Sequence, residues 1–540
     1  MMRGFKGIFL LSVGLFLNIN SVFAQLKIEQ WNRFELKLPN NSDKNSFSDN
    51  LLSATFTHKD TSITVSGFYD GNNQYIVRFM PDKTGIWKYS TKSAFTPLNN
   101  KKGEFECIKA SANNHGIVRV SQTYHFKYAD STAYFPLGTT AYAWTHMADD
   151  VQEQTLKSLQ NSGFNKIRMC VFPKNYELVK EEPTIYPYAV KEIKKDAKGN
   201  EVKIWDFSQF NPAFFQHLEK RIDDLQALGI EADLIVFHPY DKGRWGFDEM
   251  PMEANLNYIK YLVARLASFR NIWWSLANEY DFVKSKTDKD WETLIKAVVK
   301  ADPYHHLCSI HGSTAKYFNY QMPEITHTSI QDGAPVLNWG GAAIVRSIYP
   351  KPIIFDEVGY EGNLKSRWGR YSGEEMNHMV WMGLLGGTYV THGESYMFKD
   401  HRDTIFWAKG GQFKGNSWKR AALARQILSE TGPLEMADVS RDFKTATNGK
   451  GTYLIYFGKE MLEEWIFDLP HKNASSERPK PGTKYKVDII DTWDMSITKV
   501  NTTFEASEAN DYRIADKSNR KIRLPLKPYI ALRITQTNPD

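Results

Sequence analysis

Cysteine is scarce in this 540-residue chain: Cys107, Cys170 and Cys308 are the only three. They lie far apart, so neither a disulfide framework nor a cysteine-based metal site is expected. Cys170 and Cys308 fall inside apolar strand-like runs and read as buried free thiols. Long hydrophobic runs are missing too: beyond the first residues no uncharged stretch reaches membrane length, so no membrane insertion is expected. Nor is charge of one sign concentrated. The 68 Lys and Arg against 62 Asp and Glu leave +6, spread without a basic stripe, which argues against nucleic acid as a partner. No glycine-rich phosphate turn follows the first strand of the central region, so a dinucleotide fold is not expected. Histidines occur without a compact ligand motif such as His-Glu-x-x-His; no metal and no cofactor is expected.

What is present begins with an address. Arg3 and Lys6, the apolar run 8–17 and the small-x-Ala exit Val22-Phe23-Ala24 read as an export signal over residues 1–24. No Cys follows the cut before Gln25, against a lipid anchor there, and the mature protein is expected in the periplasm or outside the cell. Aromatics make up 14% of the chain, with 15 Trp and 27 Tyr, which suits both large cores and sugar-stacking surfaces. The length calls for more than one core.

Residues 25–112 alternate in short strands, such as 63–72, 74–80 and 87–90, with Asp-Gly-type turns, and predict an Ig-like antiparallel β-sandwich. Residues 432–540 return to strands at 452–457, 464–467, 485–491 and 529–535, predicting a smaller β-sandwich. Between them, residues 113–431 alternate strands and helices. Eight apolar strands are read at 135–143, 165–172, 231–238, 272–278, 307–311, 325–331, 353–357 and 389–392. Helical runs include 151–160, 212–228, 255–269 and 291–300, with Pro212 at a helix start and Gly229 just past its end. The fold class is α/β: a (β/α)8 TIM barrel flanked by sandwiches. A charged insertion over 174–205 follows the second strand, on the mouth side.

Two strands end abruptly in a carboxylate. Trp273-Trp274-Ser275-Leu276-Ala277-Asn278-Glu279 ends the fourth, and Pro352-Ile353-Ile354-Phe355-Asp356-Glu357 the seventh. Barrel active sites lie at the C-terminal strand ends, and cleaving a glycosidic bond needs two carboxyl groups flanking it. A single strand-end Glu is more often exposed or salt-bridged; two in one barrel point to catalysis by Glu279 and Glu357. Asp356 is the rival carboxylate, but neighbouring strand residues face opposite ways, so only one of the two can face the cleft. Asn278 could donate to a sugar hydroxyl.

These ends resemble those of clan A retaining glycoside hydrolases. More closely, Gly138-Thr139-Thr140-Ala141-Tyr142-Ala143-Trp144, Gly163-Phe164-Asn165-Lys166-Ile167-Arg168, Gly387 to Ser395 and Phe406 to Gly411 resemble the apiosidase-like barrel family (domain of unknown function 4038). Gly67-Phe68-Tyr69-Asp70-Gly71 and Val77 to Pro81 with Gly85-Ile86-Trp87 resemble domain-of-unknown-function family 5060. The resemblance implies a secreted retaining glycosidase acting on a plant, algal or other complex saccharide, with Glu279 as acid/base and Glu357 as nucleophile. The departure is the sixth strand, His327-Thr328-Ser329-Ile330-Gln331, which lacks the Tyr or His often found near the nucleophile there.

Other polar strand ends are candidate substrate contacts. Arg168 could hydrogen-bond Glu357 or sit in a structural ion pair. His238, His311, and His392 with Glu394 end strands three, five and eight, and Trp144, Trp245 and Trp407 could be sugar platforms or core. The alternative is a catalytically inactive carbohydrate-binding protein on the same scaffold. Oligomeric state, sugar, linkage and exo or endo action are not encoded legibly.

Overall fold

A computed structural model describes residues 26–42, 44–47, 51–195, 199, 201–398, 404–437, 443–470, 479–508 and 513–537. The export signal read in residues 1–24 lies outside the described residues.

The centre of the molecule is parallel β-structure. Strands β1 (Gly138–Thr140), β2 (Lys166–Cys170), β3 (Glu231–Phe237), β4 (Ile272–Ala277) and β5 (Cys308–Ser309) form one sheet in chain order. Strands β6 (Thr328–Gln331), β7 (Ile353–Glu357) and β8 (Tyr389–Val390) form a second. Single parallel bridges stand at both seams, His311 with Ser329 and Thr139 with His392. Every residue of β1–β8 is buried, which is why these strands read as continuous runs without alternation.

Helices follow the strands. These are α1 (Asp149–Gln160), α2 (Pro212–Ala227), α3 (Met252–Leu266), α4 (Asp288–Ala301), α5 (Ala334–Leu337), α6 (Gly341–Ile348), α7 (Gly373–Leu385), α8 (Phe406–Lys409) and α9 (Arg420–Thr431). Local chemistry sets their starts. Asn211 accepts the Ala213 N–H ahead of Pro212, and capping boxes Thr287/Asp290 and Ser372/Glu375 open α4 and α7. Between β5 and β6 there is no helix, so the fifth repeat departs from strict β/α alternation.

Further sheets precede and follow this region in the chain. In the N-terminal part a five-stranded sheet faces a three-stranded one, and rings from the two stack at the join: Phe56 on Phe79 at 4.0 Å and Phe34 on Phe105 at 4.5 Å. One strand, Lys27–Glu29, pairs parallel with Lys102–Ile108, a departure from the all-antiparallel expectation. Arg78 and Arg265 meet on Glu219, tying these sheets to α2 and α3. A small sheet over 118–134 sets Phe126 and Tyr134 against Trp273, near the start of β4. The C-terminal part carries a seven-stranded sheet with its own core around Phe467, Phe504 and Leu532. The charged insertion after β2 contains a hairpin of Tyr188–Lys195 and Glu201–Phe210. The three cysteines are buried free thiols. Among the described residues no helix is long and apolar enough to cross a membrane.

Candidate active site

The strand ends build three layers. In the deepest, Lys166 Nζ lies 2.8 Å from Asp233 and 2.7 Å from Asp356, and Arg168 stands 3.8 Å and 3.6 Å from the same two carboxylates. Ser329 and Thr391 donate their hydroxyls to Asp356 at 2.6 Å and 2.7 Å. Burial pushes the Asp356 carboxyl up, but the two cations and these donors outweigh it and hold it far below the ordinary range. Arg168 therefore sits in a structural ion network; it makes no hydrogen bond to Glu357, which corrects that half of the expectation.

The middle layer links this network to the strand ends above through His311, Gln331 and Asn278. Arg168 Nη1 lies 3.2 Å from His311 Nδ1. The same Nδ1 stands 3.1 Å from Ser329 Oγ, and Nε2 faces Gln331 Oε1 at 3.1 Å. Gln331 then donates its amide to Glu279 Oε1 at 3.0 Å. Burial, reinforced by Arg168, lowers His311 to about 3, so the ring is neutral. A second Arg168 N–H goes to Asn278 Oδ1 at 3.2 Å, leaving Asn278 Nδ2 a buried donor without a partner.

Glu279 and Glu357 form the top layer. Glu279 follows β4 with φ 48° and ψ 53°, the left-handed region, where a non-glycine residue costs on the order of 1–3 kcal/mol and functional sites concentrate. Glu357 closes β7, where the pairing with β6 shifts register between Ile330 and Gln331, so that Gln331 stands opposite Glu357 rather than Asp356. That irregularity overrides simple alternation: Asp356 and Glu357 both reach the inner polar residues, at different depths. Tyr142, just beyond β1, donates to Glu357 Oε2 at 2.9 Å, and His311 Nε2 stands 3.9 Å from the same oxygen. The group holding Glu357 thus comes from the first strand, which answers the question left by the sixth.

The two carboxyl groups differ in their environment. Burial raises Glu279 to about 7, and the nearby charge of Glu357 adds to the rise. Burial raises Glu357 too, but the Tyr142 hydroxyl, Arg168 and Lys174 pull it back. Burial and the neighbouring carboxylate thus favour the protonated form of Glu279, whereas Glu357 has a donor and cations that favour its charge.

The wall is aromatic. Lys174, at the head of the insertion, is buried with its ammonium 4.0–5.1 Å from the rings of Tyr240, Tyr142, Trp407 and Tyr176. Trp368 stands 4.3 Å from Tyr360 and 4.9 Å from Trp407. Trp407 Nε1 is a second buried donor without a partner.

Other expected contacts separate from this group. Trp144 is wholly buried in the core and is no platform. Trp245 is buried and bonds Glu182. Both ring nitrogens of His238 are engaged by backbone, at Phe172 O and Tyr240 N, so it is structural. His392 bonds Thr139 and packs on Phe164, away from Glu357, because Thr391 takes the inward position. Glu394 accepts the N–H groups of Lys414 and Gly415 rather than facing the pair. Of the predicted residues, Glu279, Glu357, Asn278, Arg168, His311 and Trp407 are brought together. Tyr142, Gln331, Lys174 and Trp368 were missed. Tyr142 lies inside the Gly138 to Trp144 run, and that was its only signal.

A family model described as apiosidase-like, catalytic domain matches residues 121–431. Domains of unknown function DUF5060 and DUF5605 match residues 27–94 and 442–535. A Bacteroides vulgatus ATCC 8482 protein solved as a candidate glycoside hydrolase is 56% identical, with 95% of this chain and 100% of that one covered and a TM-score of 0.93. A family 5 glycoside hydrolase from the same organism is 13% identical, over 78% of this chain and 94% of its own, with a TM-score of 0.56, a likeness in fold alone. No curated protein matches the chain.

Proposed function

The chain belongs to the apiosidase-like family of glycoside hydrolases, and from that premise we propose that it is an exported retaining glycosidase acting by double displacement. The observation that carries the reading is the pair Glu279 and Glu357, on the ends of β4 and β7, buried together with unlike partners. Glu357, whose charged form is favoured by the Tyr142 hydroxyl and the nearby cations against the effect of burial, attacks the anomeric carbon. Glu279 gives its proton to the departing glycosidic oxygen as the C–O bond breaks. In the second half Glu279 takes a proton from water, the water oxygen attacks the anomeric carbon, and the Glu357 carboxylate leaves. The buried donors Asn278 Nδ2 and Trp407 Nε1 suit acceptor oxygens of a sugar.

The seam bridges and chain-ordered strands support a closed (β/α)8 barrel lacking one helix, flanked by β-sandwiches over 25–112 and 432–540. The substrate class we assign is a complex plant or algal saccharide, and export follows from the signal read in residues 1–24.

Glu279→Gln and Glu357→Gln test the assignment against aryl glycosides and complex glycans. Each is expected to lower turnover by at least about 10³-fold with the fold intact, and product NMR to show retained configuration. Wild-type turnover in either variant, or inverted product, would sink it. Glycan binding without hydrolysis by the wild type would favour the inactive binding-protein alternative.

A further inference from the structure

Beyond the ends of β7 and β8, two carboxylates are buried side by side. Glu361 and Glu394 are 1% and 0% exposed, and two-residue strands pair them in parallel register. Among the described residues neither forms an ion pair. Buried charges of one sign are normally paired or bound to a metal, because leaving them bare in an apolar interior is very costly. What surrounds these two is a run of four consecutive backbone donors. Lys414 and Gly415 give their N–H groups to the two oxygens of Glu394 at 2.7 Å and 2.8 Å. Asn416 and Ser417 give theirs to the two oxygens of Glu361 at 2.8 Å and 3.0 Å. The Ser417 hydroxyl adds to one Glu361 oxygen and the Tyr396 hydroxyl approaches the other at 3.4 Å. Both carboxylates are thus oriented from the loop side, and carboxylate oxygens keep further lone pairs. Gly415 allows this approach, since a Cβ there would fall 2.4 Å from Glu361 Cδ.

His392 completes the cluster. Its ring is buried, Nδ1 is bonded to Thr139 Oγ1 at 3.0 Å, and Nε2 has no partner. One ligand atom from each of Glu361, His392 and Glu394 lies within 4.8 Å of the others. Each has its outer contact in place, as ligands of a metal do: threonine behind the imidazole, backbone amides behind the carboxylates. From the three inward-facing side chains we infer a structural site for a divalent cation, held by Glu361, Glu394 and one nitrogen of His392. An imidazole with two carboxylates suits zinc or manganese better than calcium or magnesium. A proton shared between the two carboxyl groups would relieve their repulsion but would leave the imidazole nitrogen unpaired; a cation answers all three. Among the described residues the site's three side chains share no hydrogen bond with Glu279 or Glu357. It clamps the loop 414–417 to the ends of β7 and β8, and does not depend on the catalytic reading.

The test uses full-length mature protein purified without metal-affinity resin, incubated with zinc or manganese chloride and desalted. Elemental analysis is expected to find roughly one equivalent per chain, and a strong chelator to lower Tm. Glu394→Gln and His392→Asn should each weaken retention by at least about tenfold and abolish the chelator response. If one variant fails to fold, the other carries the test. No retained metal, no Tm response to either cation, and Glu394→Gln as stable as wild type would overturn the site in favour of a shared proton.

Discussion

Asp356 and Glu357 are consecutive residues of β7, both buried, and their surroundings treat them in opposite ways. Asp356 is enclosed by Lys166, Arg168, Ser329 and Thr391, so its charge is fully answered. Glu357, in the layer above, has the Tyr142 hydroxyl and the Trp368 side chain as donors, an imidazole at 3.9 Å, the charges of Arg168 and Lys174 without an ion pair to either, and another carboxyl group close enough to perturb it. Burial alone does not decide whether a carboxylate is structural or reactive; the count of committed partners does. Breaking each layer should expose the difference. Lys166→Met removes the closer of the two cations shared by Asp233 and Asp356, leaving Arg168 alone between them, and is expected to cost about 3–5 kcal/mol of unfolding free energy, read from urea melts. Glu357→Gln should cost far less than that while abolishing turnover. If the two variants lost equal stability, the layers would be one network and the contrast would fail.

A subtler variant trims the reactive layer. The Tyr142 hydroxyl lies 2.9 Å from Glu357 and 3.3 Å from Asn278 Oδ1, and its single proton goes to the nearer, charged oxygen. Removing a hydrogen bond to a charged group costs roughly 1.5–3 kcal/mol, so Tyr142→Phe should lower kcat/KM by about 10–100-fold. It should also raise the acid limb of the pH profile, because Glu357 loses a donor that favours its charge. An unchanged acid limb would show that Tyr142 merely fills space.

The same comparison explains what could be read in the chain. The ends of β4 and β7 were legible because fully buried strands are uninterrupted apolar runs, and a terminal Glu stands out against them. Arg168 and His311 were legible as polar residues in such runs, but not their partners, which depend on register across several strands. Gln331 meets Glu279 at the place where the β6–β7 pairing slips by one residue, and no local pattern announces a slip. His392 was misplaced for the opposite reason. Thr391 bonds Asp356 in the interior, so simple alternation sends His392 outward, and there the alternation held. Trp144 and Trp407 have the same composition signal, yet one is core and the other wall, a distinction made by the packing of α8 against Tyr142 rather than by either residue.

The mildest probe is acidity itself, because the two layers should bend stability in opposite directions. Asp356 is held below its ordinary 3.8, so its contribution is complete above that pH and is lost as pH falls. Glu279 is raised from 4.5 to about 7, so the folded state holds a proton that the unfolded chain has released across that window. Its contribution is complete below 4.5 and declines as pH rises toward 7, with a slope of at most about 1.4 kcal/mol per pH unit. Urea midpoints measured between pH 4.5 and 7.5 should therefore fall more steeply for the wild type than for Glu279→Gln, which has no proton to lose at that position. The same window sets the activity: turnover needs Glu279 protonated and should decline above about 7. Parallel stability curves for the two proteins would mean that Glu279 titrates normally, and the asymmetry on which the acid role depends would be absent.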